Sequence, residues 1–432
     1  MTPKTILRVA ATAAALGLAV SLTGCGRGSS SGGSGDASVV TLWTMHAGVQ
    51  EEVDAIDQAV KDYNASQQKY SVKVTAFPQD SYNTSVTSAA SSKSLPCILN
   101  VDGPNVANWA WAGYIKPLEG MDDTAAKFLP GAQGKWNDKL YAVGPYDVAL
   151  TFLARKSALE AAKVRIPDVT KPWTKDEFED ALKKLKAKGG YDYAADFNTG
   201  FDPGEWWPYA YSPMLQSFGG DLINRDKYES AAGALNGPEA IAWAEWFQGL
   251  IKDGYIPGTS GKDAQADFLN GKSAMVYNGS WGSTAAMKSD IADDIVFLPP
   301  PDLGTGPKVG AQSWQWAQGA NCAAADGASD FLKFFLQDKY VAAQALAAGT
   351  IPATDAAAAL VPGYEPGGAN DVFRQIAKAF AMARPATPGY PFISSTFAKA
   401  TQDIVNGGDA KTALDNAVKE IDNDFKSNNY YR

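Results

Sequence analysis

Seven aromatic residues stand beside turns at the ends of apolar runs: Trp43, Trp206, Trp207, Tyr209, Trp281, Trp314 and Trp316. Flat aromatic faces rimmed by short polar groups suit solutes that present both C–H faces and hydroxyls, as sugars do. In such a site stacking supplies affinity and hydrogen bonds supply selection. Groups for catalysis are scarce by comparison. His46 is the single histidine, and no G-x-S-x-G, no G-x-x-x-x-G-K-[ST] and no Cys/His spacing for zinc occurs. Paired carboxylates for glycoside cleavage stay open, because Asp and Glu together number 47 and their separation in space is not readable from sequence.

The elements that must position these residues follow from periodicity. In 268–288, FLNGKSAMVYNGSWGSTAAMK, a short helix ends at Asn270-Gly271 and an apolar strand covers 273–277. Asn278-Gly279-Ser280 then turns the chain so that Trp281 opens the next helix. Strand carboxyl ends are where open α/β sheets place ligands, although Trp281 as a core plug and Asn278 as a plain turn former fit the same letters. Nearer the amino end, strands at 39–43, 71–77 and 97–101 alternate with helices at 49–63 and from Asp80 onward, which predicts a parallel sheet with right-handed crossovers. Trp43 and His46 then sit at the first strand's mouth, Asp102 and Asn105 at the third. Asp102 there either binds a ligand or caps the following helix.

Further along, 135–153 holds two strand-like runs around Gly144-Pro145, and Thr174 with Glu177 forms a capping box. DPGEWWPYAY, at 202–211, carries too much Pro and Gly for a helix or strand and predicts an irregular aromatic wall. Residues 238–253 predict a helix with Trp243 and Phe247 in the core. In 310–317 alternation puts Trp314 and Trp316 on one face, Ser313 and Gln315 on the other. Helices are expected at 328–337, 341–348, 370–382, 394–405 and 409–425.

A chain of 432 residues, 45% hydrophobic, exceeds what one core needs, so two lobes are expected. Lys4 and Arg8 precede the apolar run 9–22, too short for a membrane span, and Leu22-Thr23-Gly24-Cys25 resembles the lipobox of bacterial lipoproteins. On that reading 1–24 is a lipoprotein signal peptide, Cys25 carries the lipid anchor at the cell membrane, and the Gly/Ser-rich 25–37 is a flexible tether. Losing Lys4 and Arg8 moves the formal charge from -9 to -11, which excludes a general electrostatic footprint on nucleic acid. Cys97 and Cys322 remain, as a disulfide or as two small buried thiols.

Several motifs recur in a fixed order: LPCILNVDGPNVANWAWAGYIKPLEG, KLYAVGPYDVALTFLARKSALEAAKV, PWTKDEFEDALKKL, FGGDLIN with LNGPEAIAWAEWFQGLIKDGYI, FLNGKSAMVYNGSW, and ASDFLKFFL before Gly349-Thr350-Ile351-Pro352-Ala353. In this the chain resembles the extracellular solute-binding proteins (family 1) of carbohydrate ABC importers, the group that includes maltose-binding protein. Cys97 departs from the family's usual Asp, and Ala154-Arg155 from its Tyr-Asn. The resemblance implies an α/β, two-lobed periplasmic-binding-protein fold with crossing hinge segments and a ligand cleft between the lobes. The N-terminal lobe would be 38–146 with 317–368, the C-terminal lobe 147–316 with 369–432. Carried over by position, the ligand-binding residues would be Trp43, His46, Asp102, Asn105, Tyr146, Asp147, Trp207, Tyr209, Trp281, Trp314, Tyr390 and Phe397. The function implied is capture of an oligosaccharide by a monomer and delivery to ABC permease subunits and their ATPase, with no cofactor, metal or chemistry of its own. A secreted glycan-active enzyme and an importer receptor for a non-sugar polar solute are the alternatives.

Overall fold

The computed structural model describes residues 36–201 and 204–432. The expected signal 1–24, Cys25 and the tether up to residue 35 lie outside them. The first sheet begins with β1 (Val39–Thr44), β2 (Ser71–Ala76), β3 (Ile98–Asp102), β4 (Ile115–Lys116), β5 (Gln133–Trp136) and β6 (Lys139–Val143). After the short β7 (Tyr146–Asp147) a second sheet takes β8 (Leu150–Arg155), β9 (Tyr193–Asp196), β10 (Ser273–Gly279) and β11 (Ile295–Leu298). The chain then passes through β12 (Val309–Gly310) to β13 (Trp314–Gly319), β14 (Ile351–Pro352) and β15 (Ala381–Met382).

In the first sheet the order is β2-β1-β3-β13-β6-β5, with β4 also on β13; in the second it is β11-β8-β10-β9. β1 pairs in parallel with both β2 and β3, as the β-α-β-α-β order predicts. Val40 and Leu42 on β1 share a core with Ile56, Ala59, Val60 and Tyr63, the buried stripe of the helix Gln50–Ser66. β13 enters antiparallel between β3 and β6, with Trp314 opposite Asp102. The return crossing therefore lies before residue 314, not at the expected 317.

All seven residues of β10 are buried, which explains a strand run without alternation. This strand continues through Gly279, and Ser280–Gly282 forms a 3-10 turn, so Asn278 is a strand residue and not a turn former. Gly279 has an ordinary φ of -92°, and its missing side chain serves packing instead. A Cβ there would lie 2.0 Å from Cζ3 of Trp281, whose ring folds back over it.

The aromatic string at 202–211 requires a correction as well: Trp206–Phe218 is an α-helix. Pro208 occupies its first turn, where backbone N–H groups have no partner in any case. Pro213 lies inside and removes the bond to the carbonyl of Tyr209. That carbonyl backs onto the crossing strand instead, and a Cβ at Gly310 would come within 2.6 Å of it. Thr174 caps the helix Lys175–Lys188 with the reciprocal Glu177 bond expected. Cys97 and Cys322 form a disulfide.

The segments that cross between the sheets pair with one another, β14 antiparallel to β7 and β12 parallel to β15. Gln312 joins all three routes. Its N–H donates to Asp147 Oδ1 (3.1 Å), its Oε1 accepts from the Arg384 N–H (3.1 Å), and its carbonyl accepts from Arg384 Nη2 (2.8 Å). It does so at φ 76°, a left-handed conformation rare for a residue with a side chain. Among the described residues no helix is long and apolar enough to cross a membrane.

Candidate ligand-binding cleft

The strand ends and crossings enclose a cavity of about 1360 Å³. Its second-lobe wall is aromatic: Trp206 and Tyr209 from the helix Trp206–Phe218, and Trp281 from the turn after β10. The Trp281 ring stands 6.3 Å from each of the other two, edge-on to Trp206 and tilted against Tyr209. Trp314, at the start of β13, brings a fourth aromatic face from the first sheet. Polar groups fill the gaps, among them Asp102, Asn105, Glu205, Gln312 and Arg384.

Arg384 is the electrostatic centre of this floor. Its Nη1 donates to Glu205 Oε1 (2.5 Å), and Nη2 lies 3.5 Å from Asp102 Oδ1. The guanidinium also lies over the Tyr209 ring, 4.9 Å from its centroid. Burial works against the cation, but Asp102 and Glu205 more than offset it, so its pKa stands above the ordinary arginine value. Glu205 is fixed in turn by Ser394 Oγ (2.6 Å) and by the Tyr390 hydroxyl, which donates to the same oxygen as Arg384. Burial pushes the Asp102 carboxyl up to about 6; Arg384 pulls it down and the like charge of Glu205 adds to the rise. Burial likewise holds the Tyr209 phenol well above its usual range, so it remains a donor.

Of the residues expected to bind ligand, Asp102, Asn105, Tyr146, Tyr209, Trp281 and Trp314 line the cavity together. His46 sits beneath it in a separate small pocket, with Nε2 2.8 Å from Glu52 Oε2 and 3.3 Å from the Tyr146 hydroxyl. Asp147 is buried in the hinge, accepting from the N–H groups of Val148 and Gln312, and burial pushes its carboxyl up to about 6. Tyr390 is also buried and acts through Glu205.

Three expectations need correcting. Trp43 packs on Phe77 (4.7 Å) and is not part of the cavity wall. Trp207 turns away into the core against Tyr211 (5.2 Å), since neighbouring helix positions point about 100° apart; its neighbour Trp206 takes the wall. Phe397 is fully buried and stacks on Trp243 (5.7 Å), because its helix, Tyr390–Val405, packs that face on the helix Pro238–Lys252. Sequence reasoning missed Glu205, Arg384 and Gln312. Glu205 stood inside the aromatic string, but Arg384 lies 179 residues away with no local pattern to mark it.

The chain and its fold resemble those of known proteins. The chain is 24% identical to an uncharacterized lipoprotein in the oleD 5' region of Streptomyces antibioticus over 363 residues, 80% of this chain and 76% of that one. It is 26% identical to the sn-glycerol-3-phosphate-binding periplasmic protein of Brucella melitensis, covering 87% of this chain and 90% of the relative. Its fold matches the cyclic alpha-maltosyl-1,6-maltose binding protein from Arthrobacter globiformis with a TM-score of 0.74 at 24% identity, over 90% of this chain and 99% of that one. Residues 58–372 match the family of bacterial extracellular solute-binding proteins, and the chain belongs to that family.

Proposed function

We propose that the protein captures an oligosaccharide in the interlobe cleft and delivers it to the permease subunits of an ABC importer, performing no chemistry itself. The observation that carries this reading is one cavity walled by aromatic faces from both sheets, Trp206, Tyr209 and Trp281 against Trp314, with carboxylates and amides between them. At about 1360 Å³ it exceeds the roughly 300–1,000 Å³ that holds a drug-sized ligand, which favours more than one sugar ring. We take the lobes as 38–146 with 314–368 and 147–313 with 369–432, so that their limits fall in the crossings. A ligand touching both lobes favours closure only as far as it binds the closed form better than the open one.

Glycerol phosphate, suggested by the name of the Brucella relative, suits this cavity poorly. Carboxylates Glu51, Glu52, Asp80, Asp102 and Glu205 line it against the two cations Lys288 and Arg384. The lipobox-like sequence ending at Cys25, together with the lipoprotein relative, supports lipid anchoring outside the cytoplasm. A thermal-shift series over neutral sugars of one to four rings and over small non-sugar solutes tests the ligand class. Stabilisation that grows with ring number supports the reading, whereas stabilisation by non-sugars alone defeats it.

A further inference from the structure

We propose that Arg384 determines what the cleft accepts, and that Asp102 and Glu205, by cancelling its charge, confine the site to uncharged hydroxyl-bearing ligands and exclude phosphorylated or carboxylated ones. The claim about neutral ligands rests on the oligosaccharide reading; the claim about anions rests on geometry alone. A guanidinium is always charged, and one at a cavity wall would by itself recruit phosphate or carboxylate through bidentate bonds. Here both terminal nitrogens are already committed, Nη1 to Glu205 and Nη2 to the Gln312 carbonyl with Asp102 at 3.5 Å. Two carboxylates against one cation leave this group net negative when all three are ionised.

The carboxylates cannot readily withdraw. Glu205 is held by Tyr390 and Ser394 on the helix Tyr390–Val405, and Asp102 ends β3 inside the first sheet. Two buried donors at the cavity wall nevertheless lack partners: Arg384 Nε and the Tyr209 hydroxyl. An unmet buried donor is costly, and both of these belong to residues that line the cavity. A sugar hydroxyl or ring oxygen accepts without bringing charge. A phosphate could accept as well, but only beside Asp102 and Glu205, with Glu51, Glu52 and Asp80 elsewhere on the wall. Like charges brought together in this way disfavour the wrong ligand.

The test uses the whole chain, with maltotriose as neutral probe and maltose 1-phosphate and sn-glycerol 3-phosphate as anionic probes, read by titration calorimetry at low and high salt. Wild type should bind neither anion. Glu205→Gln, which frees one face of Arg384, should gain anion affinity by roughly tenfold or more, and high salt should reduce the gain. Arg384→Gln should lose that gain when combined with Glu205→Gln. Wild-type binding of either anion as tightly as maltotriose, or no anion gain in Glu205→Gln, overturns the inference even if the double variant fails to fold. Absence of any sugar binding with the anion pattern intact would instead sink the oligosaccharide reading.

Discussion

Trp281 and Phe397 are both large aromatics expected from sequence to meet ligand, yet the structure gives them different work. Trp281 is half-buried at the cavity wall, while Phe397 is enclosed against Trp243. Trp281→Ala should therefore weaken sugar binding by about tenfold or more and leave the melting temperature nearly unchanged. Phe397→Ala should do the reverse, removing about 3–5 kcal/mol of stability through a core cavity while the folded fraction keeps its affinity. Parallel melting and titration of the two variants checks both assignments; a swap of the two effects would refute them. Asp147 carries a prediction of a different kind. Its folded carboxyl stands at about 6 against 3.8 in the open chain, so the folded state holds a proton that the unfolded state has released. Stability from this group is complete below about pH 4 and is lost as pH rises to about 6. An amide oxygen can still accept from Val148 and Gln312, so Asp147→Asn should gain on wild type across that window by on the order of 1–3 kcal/mol, then hold the difference above it. Melting both proteins from pH 4 to 8 is sufficient, and a difference that does not change with pH would contradict the cause given.

At the scale of elements, most of what has a local period was legible. The strands and helices of the first β-α-β-α-β unit, the Thr174 capping box and the late helices stand close to their expected places. The helix Trp206–Phe218 was not legible, because local rules penalise its two prolines and the compensation is tertiary. The carbonyl of Tyr209, released by Pro213, lies close against Gly310 of β12, whose partner strand β15 comes 72 residues later (Gly310 opposite Met382). This contact also fixes Tyr209 at the cleft, since the Gly310 position approaches the tyrosine ring as well as its carbonyl: a Cβ there would lie 2.8 Å from Cε2. Gly310→Ala should therefore push the helix and the Tyr209 ring off the crossing strand. The expected result is a loss of about 1–3 kcal/mol in stability together with weaker sugar binding by the folded protein. If affinity is untouched while stability falls, the crossing strand does not position the aromatic wall.

For the molecule as a whole, what sequence left open was long-range. The charge-cancelled floor joins Asp102, Glu205 and Arg384 from three separate segments, and no pattern within any one of them announces the others. The cysteines show the same limit. Cys97 and Cys322 are 225 residues apart, and either pairing or separate burial fitted their surroundings. Topology decides between them: the chain leaves the first sheet after β6, builds the whole second sheet, and returns as β13 beside β3. The bond thus joins the residue before β3 to the loop after β13 and closes a loop that contains the other sheet. Closing so long a loop restricts the unfolded chain strongly, so replacing both cysteines by serine should lower stability by about 2–5 kcal/mol. Ligand affinity should not follow. β3 spans five residues, Ile98–Asp102, so the disulfide and the cleft sit at opposite ends of one strand, about 16 Å apart. Chemical denaturation of the Cys97→Ser, Cys322→Ser double variant, with sugar titration of its folded form, separates the two effects; a large loss of affinity with little loss of stability would show that the bond shapes the cleft, not the fold.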